Sequence, residues 1–198
     1  MSFTDSIEKR RSIYALGKSL PLSEDQITEW VRHSVKHVPS AFNSQSSRVM
    51  VLFGAAHDRM WSMTMAALRK IVPEDKFAPT EQKINAFAAA AGTILYYEDQ
   101  AVVDHLKANF AAYAHNFQNW SEQASGMLQH TIWTRLAEQN VGASLQHYNE
   151  LIEGDLSAAF EVPSTWRLIA QMPFGSIEAP PKEKSFGDLA ARVKTLHQ

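Results

Sequence analysis

The chain has 198 residues, 45% of them hydrophobic and 20% charged, with 8 glycines and 8 prolines, which excludes a disordered or fibrous polymer and leaves an ordinary folded protein. Nineteen Lys and Arg against 21 Asp and Glu give a formal charge of −2, so there is no overall basic field to gather nucleic acid or an anionic membrane surface. The absence of cysteine removes disulfides, thiolate catalysis, thiolate-bound zinc and iron–sulfur clusters together.

Residues 2–16 read as a first helix, with Phe3, Ile7 and Tyr14 on one side, Lys9-Arg10-Arg11 near its end and Gly17 as its stop. Ser23 before Glu24-Asp25-Gln26 resembles a capped start, and Ile27, Trp30, Val31, Ser34, Val35 and Val38 keep helical spacing up to Pro39. Val49–Phe53, closed by Gly54, reads as a buried strand, followed by a helix at about 56–71. After a polar connection from Pro73 to Pro79, Thr80–Ala91 is expected to be helical and Gly92–Tyr97 to be a second buried strand ended by Glu98-Asp99. Helical patterning resumes near Gln100, and Phe117, Trp120, Ala124, Met127, Leu128, Thr131 and Leu136 outline one long central helix. Gly142–Tyr148 and Trp166–Met172 are strand candidates on either side of a short helix around 151–160, and a tail rich in Pro and Lys begins at Ala179, with the state of Leu189–Leu196 left open. Helices outnumber strands without a regular βαβ rhythm, so the fold class is α+β. The length suits a single domain over residues 1–198.

The charged N-terminus MSFTDSIEKRRS has no apolar signal region, which predicts a cytoplasmic protein. The longest uncharged apolar stretch, Ala86–Tyr97, has 12 residues, short of the roughly 18–20 that cross a bilayer, so no membrane association is expected. No Gly-x-Gly spacing occurs, which excludes the dinucleotide fingerprint, and G-x-S-x-G is also missing. Ser6-Ile7-Glu8-Lys9 matches S-x-x-K without its companion motifs and reads as helical surface. His33 and His37 are four apart on one helix face, but without the Glu of H-E-x-x-H they read as structural, and no metal is expected. The mid-chain aromatics Phe110, Tyr113, Phe117, Trp120 and Trp133 read mostly as core, since the interleaved Arg and Lys of a nucleic-acid stacking surface are missing between them. Two segments carry recognisable chemistry. Arg10-Arg11-Ser12 joins two guanidiniums to a hydroxyl, as suits a phosphate dianion. The loop 39–45, PSAFNSQ, is dense in amides and hydroxyls that can read a heteroaromatic edge.

KRRS at 9–12, PSAFNSQ at 39–45, LQHYN at 145–149, QMPFG at 171–175 and KEKSF at 182–186 together resemble the FMN-dependent nitroreductase family, in particular its short branch from yeast and lactic-acid bacteria. The resemblance implies an α+β fold with a mixed, mainly antiparallel sheet surrounded by helices and a long central helix at a homodimer interface. It implies two FMN sites there, each built by both subunits. On that pattern Arg10, Arg11 and Ser12 hold the phosphate and ribityl chain, and Lys184 closes the phosphate site. Ser40, Ala41, Phe42, Asn43 and Gln45 line the isoalloxazine, and Gln146 and His147 lie beside its reactive edge, where a backbone N–H commonly faces N5. Better-known bacterial members carry a Glu-Gly pair where this chain has Gln146-His147-Tyr148, which leaves the N5 partner open. The implied activity is reduction of nitroaromatics or quinones by NADH or NADPH through a ping-pong cycle, with no catalytic side chain of the protein's own. The alternative is a flavin-binding redox sensor with little turnover.

Overall fold

The computed structural model describes residues 2–197. Ser2 opens α1 (Phe3–Lys9) with a reciprocal capping box: its hydroxyl accepts from the Asp5 N–H, and the Asp5 carboxylate accepts from the Ser2 N–H. The helix expected over 2–16 stops there. Arg10 is already extended, Ile13 donates its N–H to the Ala143 carbonyl at 2.9 Å, and Leu16–Gly17 form β1. Backbone partners outside the segment thus outweigh its helical periodicity. Ser6, Ile13 and Leu16 are buried, whereas Phe3, Ile7 and Tyr14, the expected apolar side, are exposed.

Ser23 and Gln26 form a second capping box, and α2 (Glu24–His37) ends before Pro39 as its spacing requires. The chain continues through β2 (Ser47–Phe53), α3 (Gly54–Arg69), α4 (Ala78–Ala88), β3 (Gly92–Asp99), α5 (Gln100–Asn109), α6 (Phe117–Glu138), β4 (Gly142–Ala143), α7 (Asn149–Phe160) and β5 (Trp166–Ile177). Among the described residues this is an α+β fold on one antiparallel sheet in the order β1-β5-β3-β2, with β4 also on β5. The strand expected over Gly142–Tyr148 shrinks to β4 and a single bridge at Gln146, while that expected over Trp166–Met172 runs on to Ile177. Leu189–Leu196 contains only a turn closed on the Leu189 carbonyl. Of the mid-chain aromatics only Phe117 is fully buried; Trp120 and Trp133 are partly buried, and Phe110 and Tyr113 are exposed. No described helix is long and apolar enough to cross a membrane.

The sheet is the middle of three layers. Leu95 and Tyr97 of β3 pack with Trp61, Phe87, Ile152 and Leu156 under α3, α4 and α7. The alternate residues Ile94 and Tyr96 pack with Ile27, Val31, Leu128 and Ile132 under α2 and α6. On β5 the alternation breaks: Leu168 belongs to the first layer, but Ala170, Met172 and Phe174 belong to the second. The register explains it, since Tyr97 faces Leu168 and Tyr96 faces Ala170, leaving Ile169 as the extra residue of a β-bulge. Gly175 is required beyond the bulge because the Gly17 carbonyl occupies the space of a Cβ.

One buried polar chain ties the first layer together. The Trp61 indole N–H donates to the Thr93 hydroxyl at 2.9 Å, which lies 2.8 Å from His57 Nδ1, while His57 Nε2 lies 3.1 Å from the Ala88 carbonyl. A carbonyl only accepts, so these partners assign the proton to Nε2 and leave the imidazole neutral. Thr93→Val keeps the side-chain volume but orphans two buried groups. Its expected cost is about 1–3 kcal/mol, read as a lower urea midpoint at unchanged slope. Burial holds His57 below its ordinary range, against the Ala88 carbonyl and Asp58, which raise it. Unfolding frees the ring to bind a proton, so stability is intact above about pH 6.5 and declines as pH falls below that value. Urea midpoints followed from about pH 8 to about pH 5 should show the decline, and His57→Gln should make it shallower.

Candidate active site

The first group of expected residues collects at the C-terminal end of α6. Ser6 donates to Glu138 Oε1 at 2.6 Å and Lys9 Nζ to the Glu138 carbonyl at 3.3 Å, so the Ser6–Lys9 stretch docks α1 onto α6 and is not mere helical surface. Arg10 then lies over Trp133, 4.3 Å from the ring centroid, and burial together with neighbouring Arg11 holds its guanidinium below its ordinary pKa. Arg11 donates to the Lys182 carbonyl, which draws in the segment carrying the exposed Lys184. Ser12 makes a parallel bridge to Ala143. Among the described residues Arg10, Arg11 and Lys184 form no ion pair, and the buried Trp133 N–H has no acceptor. Two adjacent guanidiniums without carboxylates, one of them over a spare N–H donor, are a donor set for a phosphate dianion, and the segment held by Arg11 carries a third cation, Lys184.

The second group is the segment 144–149 on the free edge of β5. Gln146 and Gln171 exchange backbone hydrogen bonds of 2.7 and 2.9 Å. The fully buried Gln171 side chain accepts the Tyr148 N–H at 2.8 Å and donates to Asn149 Oδ1 at 2.6 Å, and Asn149 Nδ2 donates to the Ile169 carbonyl at 2.8 Å. The carbonyl exposed by the bulge is therefore the anchor of the segment. Gln146 is buried and donates to Ser144 at 3.1 Å, while His147 is exposed at the crest. Among the described residues no acceptor meets the His147 N–H.

The third group is the loop 39–45. Phe42, Asn43 and Gln45 all have left-handed backbone, with φ of 56, 51 and 50°. The Gln45 N–H donates to Ser40 Oγ at 2.9 Å, and the Asn43 N–H to the Ser40 carbonyl at 3.0 Å. The Phe42 ring, half exposed, lies 4.9 Å from Phe110 and 5.3 Å from Phe117. Ser40 and Gln45 stand at the edge of a cavity of about 670 Å³ with valine walls (Val31, Val35, Val49, Val51) and a polar rim of Arg32, Lys36 and Arg48, a space of the size small organic ligands fill. Ala41 lines a neighbouring groove with Trp120 and Met127.

The three groups do not meet within one chain. The loop packs against α6 near Trp120 and Met127, whereas Arg10 packs at Trp133, and those 13 residues correspond to roughly 20 Å of helix axis at about 1.5 Å per residue. Between them runs a groove of about 710 Å³ along Met127, Thr131, Thr134 and Glu138, with Phe3 on its other wall. The His33 and His37 rings lie 4.5 Å apart at a tilt of 43°, and no described group of three or more His, Asp or Glu side chains is placed to hold a metal.

A family model described as the Nitroreductase family matches residues 7–176, most of the chain. The chain belongs to the nitroreductase family. It is similar to nitroreductase FRM2 of Saccharomyces cerevisiae, 31% identical over 187 residues that cover 93% of both proteins. Among solved structures it resembles nitroreductase CinD of Lactococcus lactis in complex with chloramphenicol, 44% identical, with a TM-score of 0.91 over 99% of this chain and 100% of that one. The CinD complex with 4-nitrophenol superposes with a TM-score of 0.90 at the same identity and coverage. Nitroreductases are oxidoreductases, and this chain is one by membership.

Gln171 and Asn149, which the sequence shows only inside QMPFG and LQHYN, and Trp133, read there as core, support the site in ways that residue patterns alone do not assign. A carboxamide inside an apolar strand run, as at Gln171, is the legible signal, because a buried amide must find partners. Gln171→Leu removes two side-chain hydrogen bonds, to the Tyr148 N–H and to Asn149 Oδ1, and should cost about 1–3 kcal/mol, with faster amide exchange confined to residues 145–149. Mass-spectrometric hydrogen exchange on that peptide checks it.

Proposed function

We propose that this nitroreductase binds FMN and uses NADH or NADPH to reduce nitroaromatics or quinones. The observation that carries the reading is the pair Arg10 and Arg11 without acidic partners among the described residues, tied through the Lys182 carbonyl to the segment that carries Lys184 and joined by the Ser12–Ala143 bridge to a segment whose crest offers a free N–H. FMN would supply hydride transfer at N5, taking hydride from the nicotinamide and passing it to the oxidant in two alternating half-reactions. The protein's share is binding and electrostatics. Arg10, Arg11, Ser12 and Lys184 neutralise the phosphate, and the desolvated Arg10 interacts more strongly with an anion than a fully hydrated side chain would. His147 presents its backbone N–H to the reactive edge, with Gln146 beside it locked to Gln171, which keeps that backbone in place. Ser40, Ala41, Phe42, Asn43 and Gln45 offer carboxamides, a hydroxyl and an aromatic face to the ring system, and apolar walls nearby suit flat aromatic oxidants. CinD complexes with chloramphenicol and 4-nitrophenol support that substrate class by similarity.

The reading includes a homodimer. With the loop and the arginines at opposite ends of the α6 groove, a second copy related by a two-fold axis would bring the loop of one chain to the arginines of the other. Exposed Phe3 and Met127 along that groove, Ile7 on α1, and Phe186, Leu189, Val193 and Leu196 in the tail, are apolar surface for such a mate to cover.

The protein purified without added flavin should show FMN absorption that bleaches anaerobically with NADH or NADPH and returns with a nitroaromatic or quinone. Bands that stay would favour a sensor, and failure to take up FMN would overturn the reading. Arg11→Ala or Lys184→Ala should each weaken FMN binding roughly ten- to hundredfold, since a charge-assisted contact contributes about 1.5–3 kcal/mol. Equal dissociation constants for variant and parent would remove those residues from the site.

A further inference from the structure

The loop 39–45 holds three residues in left-handed backbone, among them the bulky Phe42. Such conformations persist only where their surroundings over-determine them. The bonds inside the loop, from Ser40, do not tie it to the sheet. What does is a buried polar device at the junction of β2 and β3. Glu98 is fully buried, and its two carboxylate oxygens are each taken by a hydroxyl of the residues that leave the loop, Ser46 at 2.6 Å and Ser47 at 2.5 Å. Next to it, Asp99 holds Arg48 at 3.0 Å, and the other guanidinium nitrogen of Arg48 donates to the Gln45 carbonyl at 2.6 Å. The Asp99 N–H also donates to the Ser46 carbonyl at 2.9 Å. Burial pushes the Glu98 carboxyl up, while the two serine hydroxyls, Arg167 and Arg48 pull it back down.

A buried carboxylate is costly unless its oxygens are fully bonded, and here the bonds all lead to one loop. Neither Glu98 nor Arg48 belongs to the cofactor contacts expected above. We propose that Glu98, through Ser46 and Ser47, and Arg48, through the Gln45 carbonyl, are positioning residues that hold the strained 40–45 loop in the shape in which it meets the flavin and its aromatic oxidant. The proposal rests on the function argued above for what the loop meets, but the rigidity of the loop is a property of the chain itself.

The test compares Glu98→Gln and Arg48→Met with Thr93→Val, a destabilising control in the other layer of the sheet. In flavin-free protein, amide exchange of the 40–47 peptide should quicken at least tenfold in the first two variants and stay at the parent rate in the control. In the flavin-loaded enzyme the same two variants should shift the visible flavin bands and raise KM for a nitroaromatic severalfold more than they lower kcat, with neither change in the control. Parent-rate exchange in both variants, or equal quickening in the control, overturns the proposal even if flavin binds and turns over. Quickened exchange in a protein that never takes up flavin would keep the positioning role and sink the functional reading instead.

Discussion

The pairing of β3 with β5 is the constraint on which the rest depends. Gly92 to Glu98 are buried on both faces, so every backbone group of that stretch must be satisfied by a neighbouring strand, and the side chains must fill two different layers at once. A perfectly regular β5 would present Leu168 and Ala170 to the same face. The extra residue at Ile169 turns the strand over, and in doing so leaves a carbonyl for Asn149 and puts Gln171 where it can hold residues 146–148. One irregularity in the ladder thus both completes the core and builds an edge of the candidate active site.

Polar groups buried within the sheet do the holding that apolar packing cannot. Gln171 in the middle of β5, and Glu98 near the end of β3 with the half-buried Arg48 beside it, each convert a loop into a shaped surface by directing hydrogen bonds onto it. The His57–Thr93–Trp61 chain works in the same way inside the first layer, although it shapes no site. Directional bonds fix an orientation, whereas contacts between methyl groups fix only a distance.

Electrostatics separate the arginine end of α6 from the loop end. Arg10, Arg11 and Lys184 stand without carboxylates in a chain that is slightly acidic overall, and elsewhere Arg48, Arg69 and Arg167 are paired. Holding two guanidiniums side by side, as at Arg10 and Arg11, costs free energy unless an anion offsets it, which is the pull toward a ligand at this end.

Local chemistry was readable from the sequence where it depends on neighbours along the chain: the capped start and proline stop of α2, the buried run of β3, the long α6, and the arginines and amide-rich loop that mark the nitroreductase family. The long reach of β5, the bulge at Ile169, the early end of α1 and the shrinkage of the 142–148 strand were decided by partners far away in sequence. Periodicity reports which side of an element is apolar, not which backbone groups will find a partner. For the same reason Arg10 and Gln146 were assigned to the site by residue type, while Trp133 under the one read only as core and Gln171 behind the other only as a letter of QMPFG. The sequence by itself determined which side chains carry charge and hydrogen bonds; only tertiary structure decided which of them stand unpaired, because pairing depends on distances in space that no local pattern encodes.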